Sequence, residues 1–345
     1  MIRVLVIDDS ATMRILLKKI IDKNEYMECV GVAPNPVDAK EIIRDRRPDV
    51  ITLDVEMPKM SGLEFLERMM HFTPIPVIMI STLTEAGSTS ALSALELGAV
   101  DFIAKPKLDM AENMDSYADE IYRKIQMAAR AKVLKLSSPL PPMSLNDAAP
   151  EKNPGAAAIV GDRIVGIGAG TGGVSALREI LMTMPEDCPP ILAVQHLPAA
   201  FMDSLAKRLD HLCKPRVKIA EHGESVRKGC IYISGGNSKL TITSVNDGYR
   251  LACAPSSDSE KSKKTVDTLF VSLATAVGKN GIGVILTGAG GDGAMGIRSM
   301  MEVGAFNIAQ SADSCVVYDM PQAAISSCGI SEVLALPDIS KKILS

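Results

Sequence analysis

Five residues at the ends of short apolar runs define the first chemistry the sequence offers. Asp8 and Asp9 follow "RVLVI", Asp54 ends "VITLD", Ser81 ends "VIMIS" and Lys105 ends "FIAK". Crowded carboxylates repel one another, so the three acids call for a hard divalent cation such as Mg²⁺. The cation screens an incoming phosphoryl group, and Asp54 can then act as nucleophile. Lys105 can pair with the resulting acyl phosphate and Ser81 can hydrogen-bond it. Any one of these residues alone reads as a helix cap or a turn. Agreement among all the strand ends favours the chemical reading.

A second set lies farther along. Gly170 sits in the turn of "IVGIGAGTGG", His196 ends "ILAVQH", and Asp292 sits in "LTGAGGDGA". A His and an Asp at separate strand ends are two members of a nucleophile–base–acid arrangement. The other histidines, His71, His211 and His222, fall in helical or polar segments and read as solvated. Glycine has no oxygen with which to attack an ester, and losing such a nucleophile costs on the order of a million-fold in turnover. The nearest hydroxyls are Thr171 and Ser175. One residue along a tight turn the Thr171 side chain should point elsewhere, and Ser175 lies about a turn into the following helix. Gly168, Gly170 and Gly173 also satisfy the G-x-G-x-x-G pattern of a dinucleotide site. That reading needs an acid at the end of the next strand, which ends in Gln195-His196 instead.

The elements that must position these residues follow from periodicity. In the first part, short β-rich runs alternate with amphipathic stretches such as "MRILLKKIIDK" and "LEFLERMMHF". This spacing predicts a parallel sheet covered on both faces, with functional groups at the carboxyl ends of its strands. "ADEIYRKIQMAARAKVLKL" predicts a helix leading out of the domain. Ser137 to Gly155 is rich in Pro, Ser and Asn and reads as a linker. Beyond it "IVGIGAG", "ILAVQH" and "GVILTG" predict buried strands, each followed by a helix. "CIYIS", "KLTITSV" and "YRLACA" predict successive antiparallel strands, giving a mixed sheet with a hairpin insertion.

Composition bounds the partners. The chain of 345 residues suits two domains, and 47% apolar content lets each bury a core. A net charge of −4, aromatics at 3% and no Trp argue against nucleic acid as a partner. No apolar run is long enough to span a bilayer, and "MIRVLVIDD" enters a strand at once with no signal peptide, so a cytoplasmic protein is expected. The seven cysteines form no C-x-x-C pair and read as reduced, mostly buried thiols.

Two family resemblances follow. Residues 1–122 resemble a two-component receiver domain in the acid pair, the "LDVEMP-x-M-x-G" run, the Ser81 position and "KP". The resemblance implies phosphorylation of Asp54 by a histidine kinase, Mg²⁺ held by Asp8, Asp9 and Asp54, and Phe102 at the position of the switch aromatic. Residues 159–345 resemble the catalytic domain of chemotaxis receptor methylesterases, also called protein-glutamate methylesterase/glutamine deamidases. The matching pieces are "IGAGTGG", "QHLP-x-x-F", "LTGAGGDGA", "SCVVYDMPQAA" and the "EHGE…G-x-x-YI" stretch. The family's nucleophilic Ser falls on Gly170, its catalytic His on His196 and its Asp on Asp292. Further departures are Lys239 in place of a His, "SKKTVD" (262–267) in place of "HRPSVD", Ala289 in place of Met, and Asp319 and Gln322 in place of Gly and Arg.

The expected architecture is therefore α/β in two domains. A flavodoxin-like (βα)5 receiver is followed by a linker helix and Pro-rich linker at 123–158, then by a doubly wound α/β methylesterase-type domain with a β-hairpin insertion. The expected function is a response regulator whose effector acts on, or only binds, a methyl-accepting chemoreceptor. Little or no esterase activity is expected because of Gly170. An active enzyme with a substitute nucleophile and a nucleotide-binding effector are the alternatives.

Overall fold

The fold was obtained as a computed structural model that describes residues 1–57, 60–81, 85–106, 114–133, 152, 163–236, 238–255 and 265–345. The chain divides into two compact units, Met1–Pro142 and Met143–Ser345.

The first unit alternates strand and helix throughout: β1 (Ile2–Ile7), α1 (Ala11–Lys23), β2 (Met27–Ala33), α2 (Pro36–Arg46), β3 (Val50–Asp54), α3 (Gly62–Phe72), β4 (Val77–Ser81), α4 (Glu85–Glu96), β5 (Asp101–Ala104) and α5 (Met114–Ala128). The strands form one parallel sheet in the order β2-β1-β3-β4-β5. Every residue of β3 and β4 is buried, as expected of strands with helices on both faces. Helix starts are fixed locally. Ser10, Asn35 and Ser61 cap α1, α2 and α3 by accepting backbone N–H groups. The helix expected to run to Leu136 ends at Ala128. The Pro-rich linker lies outside the described residues except for Lys152. Its ammonium donates to Asp210 O, Cys213 O and Pro215 O in the second unit.

The second unit contains β6 (Ile164–Ala169), α6 (Gly173–Met182), β7 (Ile191–Gln195), α7 (Ala199–Leu212), β8 (Arg216–Ile219), β9 (Cys230–Ile233), β10 (Ser238–Val245), β11 (Gly248–Pro255), α8 (Thr265–Ala276), β12 (Gly281–Ile285), α9 (Ala294–Glu302), β13 (Phe306–Gln310), α10 (Asp319–Ser326), β14 (Glu332–Leu334) and α11 (Leu336–Leu344). Seven strands make one sheet in the order β14-β13-β12-β6-β7-β9-β8. All its pairings are parallel.

The expectation of a mixed sheet is corrected here. β9 is not a neighbour of the hairpin but a parallel strand between β7 and β8. Its four residues are all buried, so both of its faces are covered. β10 and β11 pair with each other, antiparallel, outside the seven-stranded sheet, and bury one side through Leu240, Ile242 and Leu251. That side joins a core with Phe270, Leu273 and Tyr232. The two strand types therefore differ in how many faces they bury, which a short β-rich run does not reveal. Five of the seven cysteines are buried and all are free thiols.

Candidate functional sites

In the first unit β1, β3, β4 and β5 are successive neighbours, so their carboxyl ends meet. Asp8 follows β1, Asp54 ends β3, Ser81 ends β4 and Lys105 follows β5. The Lys105 ammonium donates to Asp54 Oδ2 at 2.7 Å and lies 3.5 Å from Asp8 Oδ2. The Lys105 amide donates to Ser81 O, which ties β5 to β4 at the site. Asp8 and Asp54 are buried, whereas Asp9 is exposed. Burial pushes the Asp54 carboxyl up to about 6 despite its bond to Lys105. Burial also raises Asp8, against the pull of Lys105. Burial alone would lower the Lys105 ammonium, but its bond to Asp54 and the charges of Asp54 and Asp8 outweigh this and raise it. Phe102 is buried in β5, with the Lys124 ammonium 5.0 Å from its ring centre.

Asp8, Asp9 and Asp54 each offer an oxygen within 4.8 Å of the others. Asp8 Oδ1 accepts the Ser10 amide, while Asp8 Oδ2 is buried without a hydrogen bond. An octahedral Mg²⁺ with bonds of about 2.1 Å spans about 4.2 Å between opposite ligands. Hard carboxylate donors, two of them costly to leave charged and uncompensated, fit that ion.

In the second unit β12, β6 and β7 are successive neighbours, and Gly170, His196 and the loop carrying Asp292 stand at their carboxyl ends. His196 Nε2 lies 2.9 Å from Asp292 Oδ2. A carboxylate only accepts, so this nitrogen carries the proton of the bond. Asp292 is itself held by the start of α8. Its Oδ2 accepts the Val266 amide at 3.0 Å and its Oδ1 accepts the Asp267 amide at 2.9 Å. Asp267 in turn accepts the Gly296 amide at 2.8 Å in the first turn of α9. Each acid thus satisfies N–H groups that the other's helix would leave unpaired. The sequence reading missed Asp267 and this reciprocal capping, because the two partners lie 29 residues apart.

Gly170, at the end of the neighbouring strand, offers backbone groups only. Its N–H donates to Thr287 O, and its carbonyl accepts Gln195 Nε2 and the Gly173 amide, both at 2.8 Å. The Thr287 hydroxyl bonds to Thr171 O and also accepts the Val317 amide, joining the β6 turn to the segment before α10. A Cβ at Gly170 would lie 2.9 Å from Gly288 Cα and 3.1 Å from Met320 Sδ. At Gly168 a Cβ would lie 2.2 Å from Val266, and at Gly173 2.3 Å from Gln195 Oε1. Protein atoms therefore fill the space that a side chain would take at all three glycines.

Among the departures, Asp319 accepts the Gly290 amide at 3.4 Å in the loop that carries Asp292, and Ala289 is half-buried in the same loop. Gln322 is exposed on α10, and Lys239 stands near the start of β10. Residues 262–264 of the "SKKTVD" stretch lie outside the described residues.

The model of the CheB methylesterase family matches residues 165–343, and that of the response regulator receiver domain matches residues 4–114. The chain belongs to the CheB methylesterase family. A protein-glutamate methylesterase/protein-glutamine glutaminase 3 of Burkholderia thailandensis is 60% identical over 344 residues, covering 100% of this chain and 96% of that one. A protein-glutamate methylesterase/protein-glutamine glutaminase of Nitrosomonas europaea is 46% identical, with the same coverage. The solved CheB methylesterase catalytic domain of Thermotoga maritima is 34% identical, with a TM-score of 0.52, and covers 54% of this chain and 98% of its own. This CheB-type chain is thus a chemotaxis response regulator with a receiver and a methylesterase domain. Among its described residues no helix is long and apolar enough to cross a membrane.

Proposed function

We propose that this chain is a phosphorylation-controlled chemotaxis regulator whose methylesterase domain has lost its hydrolytic chemistry. The observation that carries the reading is Gly170, which puts no side-chain oxygen beside the His196–Asp292 pair. A histidine kinase of a chemotaxis pathway supplies the phosphoryl group in the cytoplasm, and Asp54 takes it. Asp8, Asp9 and Asp54 would hold Mg²⁺, which would supply positive charge to offset that of the carboxylate and phosphoryl oxygens. Lys105 stabilises the acyl phosphate, Ser81 hydrogen-bonds it, and Phe102 responds on β5. The effector domain meets a methyl-accepting chemoreceptor as its binding partner.

The retained pair does not oppose this reading. Asp292 is held in place by two amides of α8 whether or not an ester is ever cleaved. The test is methanol release from methylated receptor by the full chain with acetyl phosphate and Mg²⁺, beside its Gly170→Ser variant. The reading expects none from the natural chain. Methanol from the natural chain at a rate near that of an intact relative would show a substitute nucleophile and overturn it. Activity in the variant alone would place the loss at one atom.

A further inference from the structure

We infer that Arg14 is a positioning residue for the cation site, holding the β1–α1 turn so that Asp8 and Asp9 face one ion. In an extended strand successive carbonyls point to opposite sides. At the end of β1 this alternation stops: the carbonyls of Asp8 and Asp9 both point at Arg14. Arg14 Nη1 donates to Asp8 O at 2.6 Å and to Asp9 O at 2.9 Å. One guanidinium nitrogen has two hydrogens, so each carbonyl takes one. Without a cation between them, two carbonyl dipoles converging on one side repel, and the turn relaxes.

The turn also sets the acid oxygens. Asp8 Oδ1 is taken by the Ser10 amide, and Ser10 begins α1 by accepting the Met13 amide. Asp8 Oδ2, buried and without a hydrogen bond, has only the Lys105 ammonium 3.5 Å away and is the oxygen that can serve an ion. Asp9 is exposed and has no such packing to hold it. Its backbone carbonyl bond to Arg14 is what fixes its place beside Asp8.

Two physical effects of removing Arg14 have opposite signs. Deleting a nearby positive charge favours a cation. Releasing the turn disfavours it, because ligands oriented by outer hydrogen bonds typically lose 10–100-fold in metal affinity when those bonds go. The inference rests on the Mg²⁺ reading of the acid cluster, and Mn²⁺ is a probe with a direct readout. Full-length protein, Arg14→Met and Arg14→Lys are titrated with Mn²⁺ at pH 8 without phosphodonor, and free ion is followed by electron paramagnetic resonance.

The expected result is about tenfold weaker binding in Arg14→Met. Most of the affinity should return in Arg14→Lys, whose ammonium can donate to both carbonyls. In acetyl phosphate labelling, the half-saturating Mg²⁺ should rise while the rate at saturating Mg²⁺ holds. Equal or tighter Mn²⁺ binding by Arg14→Met would overturn the positioning role. Absence of Mn²⁺ binding by the natural chain would overturn the Mg²⁺ reading beneath it. Should Arg14→Met not fold, Arg14→Gln, neutral and too short to reach both carbonyls, is read by the same criteria.

Discussion

At the scale of single residues, Asp292 has a structural task that does not depend on catalysis. The carboxylate accepts the Val266 and Asp267 amides, so its removal leaves two helix N–H groups without partners. Asp292→Ala is expected to cost about 1–3 kcal/mol, read as a lower denaturant midpoint for the effector's unfolding. His196→Ala, which removes a ring that is partly exposed, is expected to cost well under half as much. Equal losses would mean that the capping bonds contribute little. Asp54 gives a pH signature instead. Burial raises its pKa from 3.8 to about 6 in the folded chain. A folded-state pKa above the unfolded one contributes stability that is fully present below the unfolded value and lost as pH rises through the folded one. In EDTA, the receiver should therefore lose on the order of 3 kcal/mol between pH 4 and pH 7 from this group. Asp54→Asn should flatten that loss, and Mg²⁺ should restore stability at pH 7 but not at pH 4. A receiver melting profile with the same slope in Asp54→Asn would show that another group is responsible. Gly170 was legible in the sequence as a missing oxygen. The closeness of Gly288 and Met320 was not, because it depends on a loop more than a hundred residues away.

At the scale of elements, the packing of β6 on α8 explains Gly166 and Gly168, the second of which opens the apparent dinucleotide fingerprint. A Cβ at Gly166 would lie 2.3 Å from Leu273, and one at Gly168 2.2 Å from Val266. Both glycines let α8 settle closely onto the strand, and α8 is the helix whose first turn grips Asp292. Gly168→Ala is expected to destabilise the effector by about 1–3 kcal/mol through overpacking. Adding Val266→Ala should recover part of that loss, so the double variant should be more stable than the sum of the single changes. Strict additivity would mean that the contact is not the cause. Nucleotide at millimolar concentration should leave the melting temperature unchanged. The strand ends themselves were readable because buried parallel strands are short, β-rich and followed by helices. β9 was misread because its run resembles those of β10 and β11, and only its burial on both faces separates them. The capping of α8 by Asp292 was unreadable for a different reason: a helix start usually announces a cap one residue upstream, not one 26 residues downstream.

At the scale of the whole molecule, the two units carry unequal chemistry. The receiver brings together three acids with an oxygen each to share and a lysine 2.7 Å from Asp54. The effector has a histidine–aspartate pair, with glycine at position 170. On the proposed reading, the chain acts on signalling by what it takes up and what it occupies rather than by what it cleaves. With a limiting kinase and an active methylesterase present, it competes for phosphoryl groups through Asp54 and for receptor through its effector. Methanol release by the active enzyme should fall as this chain is added. Loss of that inhibition in Asp54→Asn would identify the drain on phosphoryl groups as the cause. Inhibition that survives Asp54→Asn would assign the effect to receptor occupancy by the effector. Where acetyl phosphate replaces the kinase in excess, the phosphoryl drain vanishes by mass action, so only the second effect should remain. Methanol release that rises on adding the chain would contradict the silent effector itself.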